Sequence, residues 1–433
     1  MKKLIALLAL AGVASTAFAE GADFSHNAEF RLRYTLDQDQ DGNADANPSS
    51  TNKWDQRFRW GSTFRAGEKL TAHLGLIHAA QWGANLGAGA TNDGIGNLTG
   101  IADNQNMLLV NEAYGSWMAT DELLIRFGRG GLPMADERVI GLNAWGATQN
   151  AFEGVLFTYD KEFARFNMFG VKVAELAGTA GTIASDPEIN MYGFAMDWKN
   201  LPEWLKMAHI HVLQTNVDQA TGLGLARESK MRYGFVLSGD MNNIDYRATY
   251  AVNSGEEGAA GSTTDNSGSM MDIEVGYSMP DMMNSRVSFL YHTDTGDDPN
   301  TANEDEGYDA FYYTKHDKAG WMDIYGFGNL TFMQLGWSMD LMEEMTLKAQ
   351  YVIFSQTEKA SAAATGANGS GWGGASATED ALGTEIDVEV MKKYEGGFSI
   401  AARLGMFTPG DEFKNTTMED NYNQFMLEGK MTF

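Results

Sequence analysis

The sequence contains no cysteine. A disulfide framework and thiol chemistry are both excluded. Proline is scarce too, with 7 residues against 49 glycines. Reversals of the chain must therefore use Gly, Asn, Asp and Thr, which suits many tight turns and long polar loops. Positive charge is also short. Lysine and arginine number 31 against 58 acidic residues, a formal net charge of −27, which argues against nucleic acid as a partner. Beyond the first few residues there is no long uninterrupted apolar run, and that excludes a membrane-spanning helix. If the chain crosses a bilayer, it does so with strands.

What is present begins with a leader. Met1, Lys2 and Lys3 precede an apolar run from Leu4 to about Val13, and Ala17-Phe18-Ala19 stands before Glu20. A basic n-region, an h-region and an A-x-A site predict a secretory signal over 1–19 and a mature chain over 20–433. At the other end, Phe425, Leu427, Gly429, Met431 and Phe433 alternate with Met426, Glu428, Lys430 and Thr432. This is a strand with a different solvent on each face, ending on an aromatic residue. Its free edge has to be covered, and in a membrane barrel the first strand covers it. The pattern resembles the last strand of bacterial outer-membrane proteins.

Between these ends the alternation recurs. It predicts strands at 26–36, 54–65, 70–80, 106–117, 122–129, 152–159, 163–173, 189–198, 206–217, 230–239, 244–252, 269–278, 285–293, 330–339, 345–356, 383–393, 397–407 and the final one. Short and long connections alternate between them. Removing 19 of 433 residues leaves 414, about 23 per strand for eighteen strands. That length fits hairpins with one short turn and one long loop. The fold class is therefore all-β, a transmembrane antiparallel β-barrel of about 18 strands with short periplasmic turns and long extracellular loops. The Gly/Ala/Ser-rich stretch 360–381 reads as a mobile outer loop.

Parity separates the two faces. Phe58, Trp60 and Phe64 oppose Arg57, Arg59 and Arg65; Met231, Tyr233, Phe235 and Leu237 oppose Arg232; Phe398, Ile400, Ala402, Leu404 and Met406 oppose Arg403. A charge facing lipid at mid-depth costs about 2–4 kcal/mol, so the arginines face the lumen. The same reasoning places Arg31, Arg33, Arg126, Arg247 and Arg286 inside. Acids join them: Asp272 and Glu274 on one strand, Glu385, Asp387 and Glu389 on another. Residues 163–173 and 330–339 alternate too poorly for their faces to be assigned. Opposed basic and acidic rows would set a transverse field that biases ion passage. Alternatively, a wide barrel fills its lumen with paired charges.

One region carries a family resemblance. Ile125-Arg126-Phe127-Gly128-Arg129-Gly130-Gly131 is followed by Asp136-Glu137-Arg138-Val139-Ile140-Gly141, then Trp145, then Phe152-Glu153-Gly154-Val155. With Gly128, Arg129, Arg138, Gly141 and Trp145 as its fixed points, this resembles the alginate-export family of outer-membrane barrels. Gly130 stands where that family has Gln, and Glu153 where it has Asp. Arg31-Leu32-Arg33-Tyr34, Gly383-Thr384-Glu385-Ile386-Asp387 and Phe407-Thr408-Pro409-Gly410-Asp411 fit as well. The resemblance implies an 18-stranded barrel with an arginine-lined pore for an acidic polysaccharide.

Other constellations are weaker. Asp37, Asp39, Asp41, Asn43 and Asp45 carry the spacing of a calcium loop, with Gly42 at its sixth position, but Pro48 replaces the twelfth-position Glu. A weak Ca2+ site is one reading and an acidic solvated loop the other. His209 and His211 share a strand face and read as polar lumen wall. His292 and Asp294 lack a nucleophile beside them, and no G-x-S-x-G, G-x-G-x-x-G or phosphate loop is present. No enzyme and no resident cofactor are expected. The expectation is an outer-membrane porin passing small hydrophilic solutes. The alternatives are an exporter of an anionic polysaccharide and a structural or adhesive barrel. The expected partners are outer-membrane lipid, lipopolysaccharide and, through the last strand, the barrel-assembly machinery.

Overall fold

Alternating segments become strands wherever they can pair on both edges. A computed structural model describes residues 22–42, 50–82, 107–175, 188–217, 227–259, 262–366, 371–374, 376, 378–414 and 416–433. The proposed leader, Asn43 and Asp45 lie outside the described residues. The strands are β1 (Ala22–Gln38), β2 (Ser50–Ala66), β3 (Leu70–Gln81), β4 (Met107–Met118), β5 (Leu123–Gly130) and β6 (Phe152–Asp160). Next come β7 (Ala164–Glu175), β8 (Glu188–Trp198), β9 (Leu205–Val217), β10 (Arg227–Met241), β11 (Ile244–Ala259), β12 (Ser262–Met279) and β13 (Ser285–Asp294). Then follow β14 (Glu304–Asp305), β15 (Leu330–Met342), β16 (Met345–Gln356), β17 (Ala381–Tyr394), β18 (Phe398–Pro409) and β19 (Tyr422–Thr432).

Eighteen of these strands pair antiparallel with their neighbours in chain order; the two-residue β14 lies outside the ring, parallel to β12. β1 and β19 close it, from Glu29 opposite Thr432 to Gln38 opposite Asn423. Two backbone bonds between Ala28 and Phe433, 2.8 and 3.1 Å, fasten the last residue. No strand edge in the ring is left unpaired, as hydrocarbon requires. The short turns share one rim and the long connections share the other.

The outward face is a greasy belt. Phe127, Val155, Tyr192, Val212, Phe235, Val275, Phe289, Leu335, Ile353 and Leu404 are all exposed there. Trp117, Phe163, Trp198, Trp204, Tyr394 and Phe433 stand exposed at the short-turn rim. Trp54 stacks on Trp82 (5.7 Å) and meets Tyr34 at a tilt (4.9 Å) towards the other rim. Apolar belts between aromatic girdles are the lipid-facing pattern of a transmembrane barrel.

Three features differ from the sequence-based expectation. First, residues 253–268 are not a long loop. β11 and β12 run on as a hairpin, with Asn253 opposite Gly268 and Ala259 opposite Ser262. Its extension is held by backbone pairing without an apolar alternation. Its inner side docks on residues 295–329, where Asn253 accepts from Asp309 N–H (3.3 Å).

Second, the stretch 360–381 does not stand over the rim as an outer loop. Its described part packs inward. Trp372 is fully buried and donates to Gln40 O (2.9 Å), and Ala364 and Gly366 pair with Gly328 and Ile324.

Third, the inner face is not uniformly wet. Phe152, Phe169, Val171, Met191 and Leu213 form one apolar inner patch, and Phe332, Val352, Phe354, Leu382 and Phe407 form another. Residues 131–151 cover the first with Leu132, Met134, Val139 and Ile140; residues 295–329 cover the second with Tyr313, Ile324, Tyr325 and Phe327. This explains the poor alternation in β7 and β15. Both of their faces are apolar, one towards lipid (Met168; Met333, Leu335, Trp337) and one towards an inserted loop.

Candidate permeation site

The two inserted loops meet at the centre of the barrel. Gly141 N–H donates to Tyr312 O (2.8 Å), Thr314 N–H to Glu137 O (3.0 Å), and Asn143 N–H to Thr314 Oγ1 (2.9 Å). The acidic-Arg-apolar-Gly stretch builds this junction. Asp136 accepts from the Arg138 backbone N–H and from the Thr249 hydroxyl (2.6 Å). Glu137 accepts from Leu142 N–H (3.1 Å), while Val139 and Ile140 are buried. A Cβ on Gly141 would overlap Thr314 and Glu137, so only glycine allows the contact. Gly128 is needed for its own backbone, at φ +117° against Ala113 and Tyr114. Arg129 points outward to Glu153 (3.1 Å) and takes no part in the lumen.

The sequence-predicted lumen residues fall into two groups. The first sits on β11, β12 and β13. Arg247 binds Asp272 (2.5 Å) and Glu274 (3.0 Å), and Arg286 binds Asp245 (2.6 Å) and Glu274 (2.9 Å). Arg138 reaches Asp272 from the loop (3.0 Å), and His292 sits between Asp272 (3.1 Å) and Asp294 (3.0 Å). Asp272, His292 and Asp294 are all buried. Asp294 also accepts Gly328 and Leu330 N–H. This network anchors loops.

Three further residues expected in open lumen are covered by the inserted loop 295–329 instead. Glu385 and Asp387 do not form a water-facing acidic row, because residues 320–322 fold over them. Glu385 accepts Trp321 N–H (2.6 Å) and Met322 N–H (3.1 Å), and Asp387 accepts from Gln350 (2.8 Å). Arg232 is held by the inserted loop rather than pore-facing. It binds Asp309 (2.6 Å) and lies over Phe311 (4.3 Å). The region is dry: burial holds the Tyr313 phenol above its ordinary range while its oxygen accepts Phe327 N–H (2.9 Å). His209 and His211 face inward as expected and are buried, with His209 paired to Asp197 (2.6 Å).

The second group lines the wall of β1, β2, β18 and β19. Arg31, Arg33, Arg57, Arg59 and Arg403 converge there on the loop segment 144–149. Arg31 donates to Trp145 O (2.7 Å) and Gly146 O (3.2 Å); Arg57 donates to Ala144 O and Gly146 O (both 2.6 Å); Arg59 donates to Gln149 Oε1. The Trp145 ring lies under Arg33 (3.5 Å) and Arg403 (4.7 Å) and stacks on His316 (3.6 Å), which Asp323 orients (3.0 Å). Three carboxylates answer the five guanidiniums within ion-pair distance: Glu29 to Arg57 (2.5 Å), Glu428 to Arg33 (2.8 Å) and Glu389 to Arg403 (2.5 Å). Five guanidiniums against three directly paired carboxylates make the contact zone around segment 144–149 rich in arginine in a chain whose net charge is −27, while Lys53, Asp55, Asp323 and Glu112 line the adjoining cavities.

A cavity lies on each side of segment 144–149. One, about 120 Å³, is lined by Arg31, Arg33, Arg57, Trp145 and Asp323 towards the long-loop rim. The other, about 360 Å³, is lined by Glu29, Arg59, His73, Asn111, Glu112 and Gln149 towards the short-turn rim. Going down β2 from Arg57 to Arg59 leads from the first to the second. Further along the wall Arg126 lies over Tyr114 (5.1 Å) and donates to Gly131 O (2.8 Å). Arg65 is exposed at the short-turn mouth.

The calcium reading loses its first position. Asp37 is inside β1 and faces the lumen, where it accepts from Tyr422 Oη (2.6 Å) and Gln424 Nε2 (2.9 Å). Asp39 and Asp41 follow in the turn beyond it.

Sequence reasoning missed Glu428 and Glu29 as partners, although Glu428 stood on the polar face of the last strand. It also missed the loop 295–329. The signal was there: Tyr308, Phe311, Tyr312, Tyr313, Trp321, Tyr325 and Phe327 are too many aromatics for a solvated loop.

The chain matches the alginate export family over residues 24–426. It belongs to that family. Its barrel is similar to those of solved structures. The Acinetobacter baumannii protein OccAB1 superposes with a TM-score of 0.63 at 12% identity, over 95% of this chain and 96% of that one. Pseudomonas aeruginosa OccK9 (OpdG) gives 0.61 at 13%, over 95% and 99%. The outer membrane protein opdK of Pseudomonas aeruginosa gives 0.59 at 10%, over 94% and 98%. No curated protein matches the sequence significantly.

Proposed function

We propose that this alginate export family member is an outer-membrane channel that passes small hydrophilic solutes by diffusion, anions ahead of cations. The reading is transport without catalysis. The observation that carries it is the excess of arginine on the one wall that joins the two cavities. Guanidiniums presented in a partly desolvated channel replace the hydration of a passing carboxylate, which a cation cannot exploit. In this reading the short turns face the periplasm, the belt meets outer-membrane lipid and lipopolysaccharide, and β19 presents its aromatic end to the barrel-assembly machinery.

A row of guanidiniums also suits a polyanion, so export of an alginate-like polysaccharide is the second reading. The folded-in loops, tied together by backbone bonds, favour small solutes. Planar-bilayer recording separates the cases. A steady ohmic current that uronate polymers leave unchanged is expected. Block by such polymers would favour export, and an absence of conductance would overturn both and leave a structural barrel.

A further inference from the structure

Segment 144–149 divides the two cavities and is held there in an unusual way. Its anchors are guanidiniums, and most of what they grip is neutral backbone carbonyl. Arg31 and Arg57 make four bonds to the carbonyls of Ala144, Trp145 and Gly146. A carboxylate matches a guanidinium in both charge and bidentate geometry, and a neutral carbonyl matches it in neither. The carbonyls are therefore the weaker ligand for these two arginines. The cavity on the long-loop side brings an incoming solute directly onto them, since Arg31, Arg57, Trp145 and Gly146 all line it.

We propose that segment 144–149 is a strap that selects carboxylate solutes by competition: the solute's carboxylate takes Arg31 and Arg57 from the strap carbonyls, and the released strap opens the way from the outer cavity to the inner one. Selection then depends on which solutes can free the strap and less on pore width. A neutral polyol of the same size offers only hydroxyls, which are no better acceptors than the carbonyls already in place. A cation offers no acceptor at all. Beyond the strap, Arg59 is the next guanidinium, with Asn111, Glu112, His73 and Gln149 around it to meet hydroxyl groups. A small hydroxylated monocarboxylate matches that order of contacts. The inference rests on the channel reading above.

Gluconate and mannitol are matched probes of similar size, and influx into proteoliposomes at low ionic strength compares them. The intact protein should pass gluconate much faster than mannitol. Arg57→Lys keeps the charge but loses the fork that holds the two carbonyls through Nη1 and Glu29 through Nη2. It should raise mannitol influx by about tenfold, the change that goes with losing one such hydrogen bond, so that the preference for gluconate over mannitol collapses.

The strap can also be followed directly. The chain has no cysteine, so Ala147→Cys accepts a single nitroxide label. Gluconate should increase the label's mobility and mannitol should not. A label spectrum unmoved by gluconate in a channel that still passes it would overturn the strap, as would an Arg57→Lys channel that still excludes mannitol. If neither solute enters at all, the channel reading itself has failed.

Discussion

Asp272→Asn should lower the unfolding free energy by about 3–5 kcal/mol, the usual result of removing one partner from a buried ion pair. Asp272 is fully buried on β12 and neutralises Arg247 from β11 (2.5 Å) and Arg138 from the inserted loop (3.0 Å); it also pairs with His292 (3.1 Å). Asparagine keeps the shape but removes the buried charge that Arg247, Arg138 and His292 share, leaving Asp136 and Glu274 as the remaining carboxylates for the two guanidiniums. The contrast is Asp245→Asn, whose pair with Arg286 (2.6 Å) is about a third exposed on both sides. Solvent screens that pair, so about 1 kcal/mol or less is expected. Urea unfolding in lipid vesicles, followed by tryptophan fluorescence, measures both. Equal losses would mean that the Asp272 network does not anchor the loop.

Leu404→Arg should cost about 2–4 kcal/mol when placed near the middle of β18, because the guanidinium would then face hydrocarbon. One residue earlier, Arg403 carries the same group at no such cost. It turns into the lumen and meets Glu389 at 2.5 Å. A single position along the strand thus separates a tolerated arginine from a destabilising one, as a side-chain period of two requires. Reversible folding into vesicles reads the difference. If Leu404→Arg folds as well as the parent protein, the belt on β18 does not face lipid.

Those two positions also show what the sequence made legible. Where one face met lipid and the other met water, as along Met231, Tyr233, Phe235 and Leu237 with Arg232 behind them, alternation alone placed the strand and its faces. The strand number and the closing pair β1–β19 followed from it. Alternation failed where a loop folded inward. Phe332 and Phe354 look like lipid-facing residues out of register until Tyr325 and Phe327 are seen covering them. Glu385 and Asp387 look like a water-facing row until Trp321 and Met322 are found donating to Glu385. Each arginine's charge was readable, but its target was not. Arg232 and Arg247 anchor loops, while Arg31 and Arg57 hold segment 144–149; the difference lies in contacts up to 115 positions apart in the chain. Such contacts leave no local pattern.

In the proposed channel, a local arginine wall overrides the charge of the whole chain. The reversal potential of the reconstituted protein under a potassium chloride gradient measures that directly. Bulk charge, 31 basic against 58 acidic residues, would favour potassium. The five guanidiniums around Trp145, set against Glu29, Glu389 and Glu428, predict chloride. A reversal potential on the chloride side is the expected result, and a clear preference for potassium would contradict it.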